Sequence, residues 1–206
     1  MKQFTISANN YLSQNTNAYF HCDYMGGGRY KQQGTMEYAI FALKGEAWWC
    51  SLFDVINSKE VVGDAIKEGI ASIVKQHPNK RFTVCAIPRS KAYVDPAKMQ
   101  LLNTIKEVVD SMPSVDNGVS YIQRVKNTYT THKSSFDGGG DGPMPYPGLT
   151  IDTCIISNDV RGKDILLIDD IYTAGVNIDE DAIEALLKKG AKSVTFYSVG
   201  RTVSRH

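Results

Sequence analysis

Two adjacent carboxylates at the end of an apolar run are the residues of this sequence best placed to do chemistry. The run ILLI, residues 165–168, is followed directly by Asp169 and Asp170. In open parallel sheets, ligands bind at the carboxyl ends of the strands. An unpaired charge in the core costs several kcal/mol, so both carboxylates should face a ligand, a cation or water.

A loop of small residues follows the acid pair. Thr173, Ala174 and Gly175 leave room for backbone N–H groups to turn inward, ahead of a helix that we expect to begin near Asn177. Backbone amides at a helix N-terminus form a cradle for phosphate. Carboxylates that suit sugar hydroxyls, next to amides that suit phosphate, predict a site for a ribose 5-phosphate.

The elements that must position these residues alternate between strand and helix. Apolar runs of strand length predict buried strands in RFTVCAIP and GKDILLIDD, a further strand in VSYIQRV and a last one in KSVTFYSVG. Apolar residues at three- and four-residue steps predict helices over VVGDAIKEGIASIVKQ, over DPAKMQLLNTIKEVVDSM with Asp95 as its N-cap, and over NIDEDAIEALLKKG, closed by Gly190. This alternation predicts an α/β fold of three layers around a mainly parallel, twisted sheet.

The first sixty residues predict a β-rich amino-terminal hood on this core. NAYFHCDY and TMEYAIFAL are rich in aromatic and β-branched residues and flank GGGRYKQQG, which predicts hairpins. EAWWCSLFDVIN fits a strand or a helix, and GGGR is more typical of a hairpin turn than of a phosphate loop. We therefore expect a single domain over 1–206, with a hood at 1–60 and an α/β core at 61–206.

A long loop interrupts the core. About forty residues separate the strands near Val119 and Lys163, and in DGGGDGPMPYPG eight of twelve positions are glycine or proline. The preceding RVKNTYTTHKS carries cations and hydroxyl groups, among them His132 and Lys133, which is the composition of a mobile anion-binding lid over 125–150. The alternative is a solvated insertion without a role.

Composition excludes several classes of protein. The 206 residues include 23 Lys and Arg against 22 Asp and Glu, a net charge of +1, which argues against disorder and against nucleic acid as a partner. No run approaches the roughly 20 apolar residues of a membrane helix, and the start lacks the apolar stretch of a signal peptide. We therefore expect no membrane partner and a cytoplasmic location. Four separated cysteines without a CxxC pair predict reduced structural thiols.

The segment DILLIDDIYTAG, followed by a helix, GA and a final strand, resembles the binding motif for phosphoribosyl pyrophosphate (PRPP) of type I phosphoribosyltransferases. The resemblance covers 162–202 best and 81–202 more loosely. It implies that Asp169 and Asp170 contact the ribose 2- and 3-hydroxyls, directly or through Mg²⁺ as metal ligands. It also implies a set of residues that hold the 5-phosphate: Ile171, Tyr172, Thr173, Ala174, Gly175, Val176 and Asn177. Within this set, we expect the Tyr172 side chain to lie near the ribose.

A second loop, AIPRSKAY, follows the first core strand, where the family places its pyrophosphate loop. The resemblance implies that Arg89, Ser90 and Lys91 bind the diphosphate. Arg124 with Lys126 and Thr128 is similar to a segment of ComF-like and amidophosphoribosyltransferase-like members, and the core resembles theirs. The implied catalytic residues are Asp169, Asp170, Arg124 and Lys126. Thr173 stands where hypoxanthine–guanine enzymes carry an acid, which argues against that subgroup.

The resemblance implies a Mg²⁺-dependent enzyme that transfers ribose 5-phosphate from PRPP to a nitrogenous base or amine, releases pyrophosphate and forms a homodimer. One alternative is a regulatory module that senses PRPP or a nucleotide without turnover, because one fold serves several functions. Another is cleavage or formation of a nucleotide-like glycosidic bond without PRPP. The acceptor is not identified, although four aromatic residues of the hood are candidates to stack on it: Tyr24, Tyr30, Trp48 and Trp49.

Overall fold

The computed structural model describes residues 1–45, 49–128, 149–150 and 152–203 of the chain. The strands in these ranges are β1 (Lys2–Ile6), β2 (Thr16–Tyr24), β3 (Phe82–Ala86), β4 (Asp116–Asn117), β5 (Ile122–Arg124), β6 (Cys154–Ile156), β7 (Asp164–Tyr172) and β8 (Ser193–Thr202). The α-helices are α1 (Met36–Leu43), α2 (Leu52–Gln76), α3 (Gln100–Asp110) and α4 (Ile178–Lys188). Single 3-10 turns cover Arg29–Lys31, Pro96–Lys98 and Asn158–Val160.

Six of these strands form one sheet in the order β1-β2-β8-β7-β3-β4. Only the β1–β2 pair is antiparallel among the pairings of this described sheet. The apolar runs RFTVCAIP and GKDILLIDD form β3 and β7, and the predicted last strand KSVTFYSVG forms β8. In the middle of the sheet, β7 lies between β8 and β3. Strands covered on both faces have continuous apolar sequences, and the predicted mainly parallel α/β fold is confirmed.

The sheet carries a hydrophobic core on each face. Successive strand residues point to opposite faces, so Leu166 and Ile168 pack with α1, α2 and α3. Ile165 and Leu167 pack on the other side with α4 and the small β5–β6 sheet. Three layers result, and the carboxyl ends of β3 and β7 open at the same edge because the two strands are parallel neighbours.

The amino-terminal segment differs from the hairpins that its composition predicts. β2 confirms a strand within NAYFHCDY, but TMEYAIFAL forms α1, and the prediction of a strand there is wrong. The Thr35 hydroxyl accepts a 3.2 Å hydrogen bond from the Tyr38 N–H and caps this helix. The GGGR turn leads into a 3-10 turn and α1, so it is not a hairpin turn. Both β1 and β2 lie in the main sheet.

The helix ends follow local signals in the sequence. α2 begins at Leu52, earlier than its periodicity suggests, because Ser51 and Asp54 form a reciprocal capping box. Asp95 accepts from the Ala97 N–H, as an N-cap should, but it caps a 3-10 turn that precedes α3. α4 begins after Asn177 and ends before Gly190, which has a φ of +103°.

VSYIQRV contributes β5, which pairs antiparallel with β6 in a separate two-stranded sheet. The neighbour of β3 at the edge of the main sheet is instead the two-residue strand β4. All four cysteines are free thiols, as predicted. No helix in the described ranges is both long and apolar enough to span a lipid bilayer.

Candidate functional site

A cavity of about 150 Å³ lies at the carboxyl ends of β3 and β7. It brings together Asp169 and Asp170 from the end of β7, Arg89 and Ser90 from the loop after β3, and Arg124 from β5. The sequence predicts a role in binding or catalysis for all five residues, which lie on three separate segments. The fold places them around one space because the two parallel strands end side by side.

Asp170 is buried, and its Oδ2 pairs with the Nζ of Lys44. Lys44 is the C-cap residue of α1 and lines the same cavity. No pattern in the sequence identifies it, since it lies 126 positions before its partner in a segment expected to form strands. An ion pair in this place neutralises one of the two strand-end carboxylates.

Asp169 is in a different electrostatic environment. Burial raises its pKa well above the usual value, and the neighbouring Asp170 and Asp179 carboxylates add to the shift. Burial also raises the pKa of Asp179 to about 8, although a hydrogen bond with the Asp169 side chain opposes that shift. Two carboxyl groups in contact in a buried site cannot both ionise readily. Both carboxyl groups therefore keep a proton to higher pH than an exposed carboxyl group would.

The first turn of α4 adds further carboxyl groups to this region. Asp179 and Glu180 are 4% and 2% exposed. Glu180 accepts a 3.0 Å hydrogen bond from the Tyr172 hydroxyl. Asp179 Oδ1 and Glu180 Oε2 are buried without a hydrogen-bond partner in the described part of the chain. The positive end of the helix dipole partly compensates this negative charge.

Ile171 and Tyr172 belong to β7 rather than to the loop, and they pair with Gly200 and Arg201 of β8. The Tyr172 ring is buried against Phe4 and Phe196, with ring centroids 5.0 and 5.7 Å away. Its ring and hydroxyl are used within the core, and the side chain does not line the cavity that contains Asp169 and Asp170.

The loop proper runs from Thr173 to Asn177. Gly175 has a φ of +84°, and a Cβ atom there would meet nothing within 4 Å. Asn177 also has a positive φ, of 63°, and its Nδ2 donates to the Gly175 carbonyl at 3.1 Å. The Thr173 hydroxyl is 2.7 Å from the Thr202 hydroxyl of β8. Ala174 and Gly175 are exposed, and Val176 is half-buried. The loop is thus shaped by its own contacts and open to solvent.

The loop after β3 is tied to its surroundings by its cations. Arg89 Nη1 donates to the Lys44 carbonyl at 2.7 Å. Lys91 Nζ donates to the Thr128 carbonyl at 3.1 Å, and Arg124 Nε donates to the Arg89 carbonyl at 3.1 Å. Burial lowers the pKa of Arg124. These cations therefore hold the loop in place, and a diphosphate that binds them would compete with the carbonyl partners.

Several candidate residues are not brought to the cavity. Lys126 is exposed, and neither it nor Lys91, which donates to the adjoining Thr128 carbonyl, lines the cavity. Tyr30 and Trp49 pack with Phe41 in an aromatic group away from the cavity, so the structure does not support their stacking on an acceptor there. Tyr24 packs against the core next to α1. Trp48, His132, Lys133 and most of the proposed lid, 129–148, lie outside the described residues.

Much of the remaining wall of the cavity is apolar. Leu101, Leu102 and Ile105 of α3 line it, together with Met99 and Ile178. The sequence suggested a core stripe for the α3 residues, and part of that stripe proves to face the site. An apolar wall opposite paired carboxylates suits a ligand with one polar and one less polar end.

The donor set can be tested for Mg²⁺. Carboxylate oxygens are the donors that Mg²⁺ prefers, and this ion usually keeps several waters and substrate phosphate oxygens as ligands. In the described ranges no group of three or more His, Cys, Asp or Glu side chains could hold a metal. Asp169 and Asp170 therefore fit an ion held chiefly by water and ligand oxygens, and not a protein cage.

Comparisons with known proteins add little. No family model matches the chain, and no curated protein matches it. Among solved structures it is similar to two crystal forms, orthorhombic and tetragonal, of a hypoxanthine phosphoribosyltransferase from Staphylococcus aureus. Their sequences are 15% and 16% identical to this chain. The matched region covers 72% of this chain and 76% of each of theirs, with a TM-score of 0.37. A likeness this weak carries no conclusion about the activity of the chain.

Proposed function

We propose that the chain is a phosphoribosyltransferase, which transfers ribose 5-phosphate from PRPP to a nitrogenous base or amine with release of pyrophosphate. One observation carries the proposal. The acid pair Asp169–Asp170 lies near the carboxyl end of β7, in a cavity that also contains the cation-bearing loop after β3, while the loop 173–177 leads from the same strand into α4. A sugar that bears a 5-phosphate and a 1-diphosphate needs these three features at one edge of a sheet.

The residues of the site would act through charge and position. Breaking the bond between ribose C1 and the diphosphate builds positive charge on the sugar and negative charge on the leaving group. Asp170 and Asp169 would accept hydrogen bonds from the ribose hydroxyls, and the loop amides from 173 to 177 would hold the 5-phosphate. Arg89, Lys91 and Arg124 would stabilise the departing diphosphate, which retains the electron pair of the broken bond.

Mg²⁺ is part of this proposal. Asp169 and Asp170 would hold it through water, and when bound it would neutralise charge on the diphosphate. Lys126 and the lid over 125–150 would exclude water from the reacting sugar. The acceptor would enter on the side of the apolar wall formed by α3.

A homodimer is proposed as the assembly. Leu52, Phe53 and Ile56 are exposed on adjacent turns at the start of α2, and contiguous exposed apolar residues mark interaction surfaces. Sedimentation of the chain and of the variant Phe53→Glu tests this proposal. We expect a dimer that the charged variant converts to a monomer, and a monomeric parent would contradict it.

Pyrophosphate release from PRPP and Mg²⁺, with a panel of bases and amines, tests the activity. Asp170→Asn should lower kcat/KM about a hundredfold, an effect of about 3 kcal/mol on the barrier. Asp23→Asn, which alters an exposed carboxylate of β2, is the control and should match the parent. If Asp170→Asn bound PRPP as tightly as the parent, the site assignment would be wrong.

One observation favours the alternative of a module that senses PRPP without turnover. Arg89, Lys91 and Arg124 all donate to backbone carbonyls, an arrangement that could bind a diphosphate without accelerating its departure. Calorimetric binding of PRPP, together with no pyrophosphate release from any acceptor, would support the sensor. Release with any one acceptor would support the enzyme.

A further inference from the structure

Lys44 links the two halves of the candidate site. Its ammonium group pairs with Oδ2 of Asp170, and its backbone carbonyl accepts a 2.7 Å hydrogen bond from Nη1 of Arg89. Lys44 is the C-cap residue of α1 and directly follows its last residue, Leu43. The helix therefore contacts the sugar-binding carboxylate through a side chain and the diphosphate loop through the main chain.

The Lys44–Asp170 ion pair is well shielded from water. The side chains are 19% and 10% exposed, whereas the Lys2–Asp23 pair at the edge of the sheet has side chains 58% and 43% exposed. Exposed pairs contribute little, because water and salt screen them. In a buried pair, loss of one partner leaves the other charge uncompensated. Lys44 thus has a much larger influence on Asp170 than a surface lysine would have.

The surroundings of Asp170 increase the need for a cation. Asp169 is its neighbour in sequence, and Asp179 is close enough for its charge to act on both residues of the pair. Like charges in one site repel each other. Without the ammonium of Lys44, the Asp170 carboxylate would be free to turn away from the other acids and from the cavity.

We propose that Lys44 is a positioning residue of the sugar-binding half of the site. Its ammonium holds the Asp170 carboxylate in the orientation that accepts the ribose hydroxyls, while its carbonyl separately holds Arg89 in the diphosphate loop. This inference rests on the proposed function and adds α1, which the sequence assigned to a strand-rich hood, to the residues that determine sugar affinity.

The two roles can be separated by mutation. Lys44→Met removes the ammonium, keeps an apolar stem of similar length and leaves the backbone carbonyl in place. Calorimetry of this variant should show at least a tenfold loss of affinity for ribose 5-phosphate and for PRPP. Its affinity for inorganic pyrophosphate should stay within twofold of the parent, because Arg89 keeps its carbonyl partner. Lys44→Arg retains the charge and should recover most of the lost affinity.

Lys2→Met is the matched control, since it removes an exposed lysine from an ion pair with an aspartate. It should leave all three affinities unchanged. Should Lys44→Met fail to fold, Lys44→Gln carries the same expectation, and circular dichroism of each variant establishes the folded state.

A double-mutant cycle tests whether Lys44 acts through Asp170. In an Asp170→Asn background, Lys44→Met should reduce ribose 5-phosphate affinity by less than twofold further. A further tenfold loss would mean direct contact with the ligand and would overturn the positioning role. An equal loss of pyrophosphate affinity in Lys44→Met would overturn it as well.

The parent protein separates this inference from the function on which it rests. If the parent binds ribose 5-phosphate and PRPP while Lys44→Met binds them equally well, only the role of Lys44 is wrong. If the parent binds neither ligand, the proposed function and the role of Lys44 both fail.

Discussion

The Tyr172 hydroxyl donates a 3.0 Å hydrogen bond to Oε1 of Glu180, and both side chains are buried. Tyr172 is the last residue of β7, and Glu180 lies in the first turn of α4. The bond therefore spans the loop 173–177 and fixes its two ends relative to each other. A phosphate cradle must hold its shape before the ligand arrives, and this contact outside the loop provides such a constraint.

Tyr172→Phe should destabilise the protein by about 1–3 kcal/mol, because a buried carboxylate oxygen loses its donor. Urea unfolding measures the change. Tyr93→Phe, at an exposed tyrosine, is the control and should stay within about 0.5 kcal/mol of the parent. Equal stability of the Tyr172 variant and the parent would mean that the bond to Glu180 is not made in solution.

Gly69→Ala should destabilise the protein by about 2 kcal/mol or more, by overpacking the core. A Cβ at Gly69 would lie 2.4 Å from Cζ of Tyr197, whose hydroxyl donates a 2.7 Å hydrogen bond to the Ala65 carbonyl. Tyr197 is fully buried and cannot move without loss of that bond.

Gly63→Ala is the control for this substitution in the same helix. A Cβ at Gly63 would meet its nearest atoms, from Thr104 and Val108, at 3.6 Å, which is ordinary contact. Alanine is the better helix former, so this variant should be as stable as the parent or up to about 1 kcal/mol more stable. Thermal or urea unfolding measures the stability of both variants. An equal loss of stability in Gly69→Ala and Gly63→Ala would contradict the predicted packing.

The parent protein should become less stable as pH rises because of Asp179, and the variant Asp179→Asn should not show this contribution. Burial raises the pKa of Asp179 to about 8 in the folded chain, against an ordinary value near 3.8. Between these pH values the unfolded state releases a proton that the folded state keeps, so stability falls with rising pH by at most about 1.4 kcal/mol per pH unit. The variant should therefore gain most over the parent at pH 8 and least at pH 4. Urea unfolding at both values measures this difference, and parallel profiles would contradict the prediction.

Asp164→Asn should show the opposite dependence on pH. Burial raises the pKa of Asp164, but hydrogen bonds from Ser193 at 2.5 Å and Lys192 at 3.2 Å outweigh burial and lower it overall. A lowered pKa contributes stability above the ordinary value, and this contribution is lost as pH falls through the folded value. The variant should be about 1–3 kcal/mol less stable than the parent at pH 7, and the difference should shrink toward pH 3. An unfolding series from pH 7 to 3 measures it, and a constant difference would argue against an ionised Asp164.

The sequence predicts the central strands well because they are buried on both faces. β3 and β7 follow from the apolar runs RFTVCAIP and ILLI, and β8 follows from KSVTFYSVG, in which apolar and polar residues are mixed. α4 carries both a periodic pattern and Gly190 at its end. Where a segment is short and apolar throughout, periodicity cannot distinguish strand from helix. α1 is such a segment, and its helical state follows from the Thr35 cap and from packing against α2.

The sequence predicts only part of the candidate site. Asp169 and Asp170 lie in the carboxyl-terminal part of β7 and Arg89 follows β3, so their meeting in one cavity follows from the order of the sheet. Lys44 follows no strand, and its contact with Asp170 depends on how α1 packs over the sheet. Tyr172 lies at a strand end, where a side chain can face either a ligand or the core, and here it bonds to Glu180 in the first turn of α4.

The position of β8 in the sheet bears on how the chain acquires its structure during synthesis. β8 follows every other described strand along the sequence, yet it lies between β2 and β7. Until it emerges from the ribosome, β2 and β7 each present an unpaired edge, and the sheet exists as two separate halves. Nascent chains that stop before Ser193 should therefore leave both edges open to pairing with other chains, and synthesis of the ten-residue strand β8 joins the two halves of the sheet.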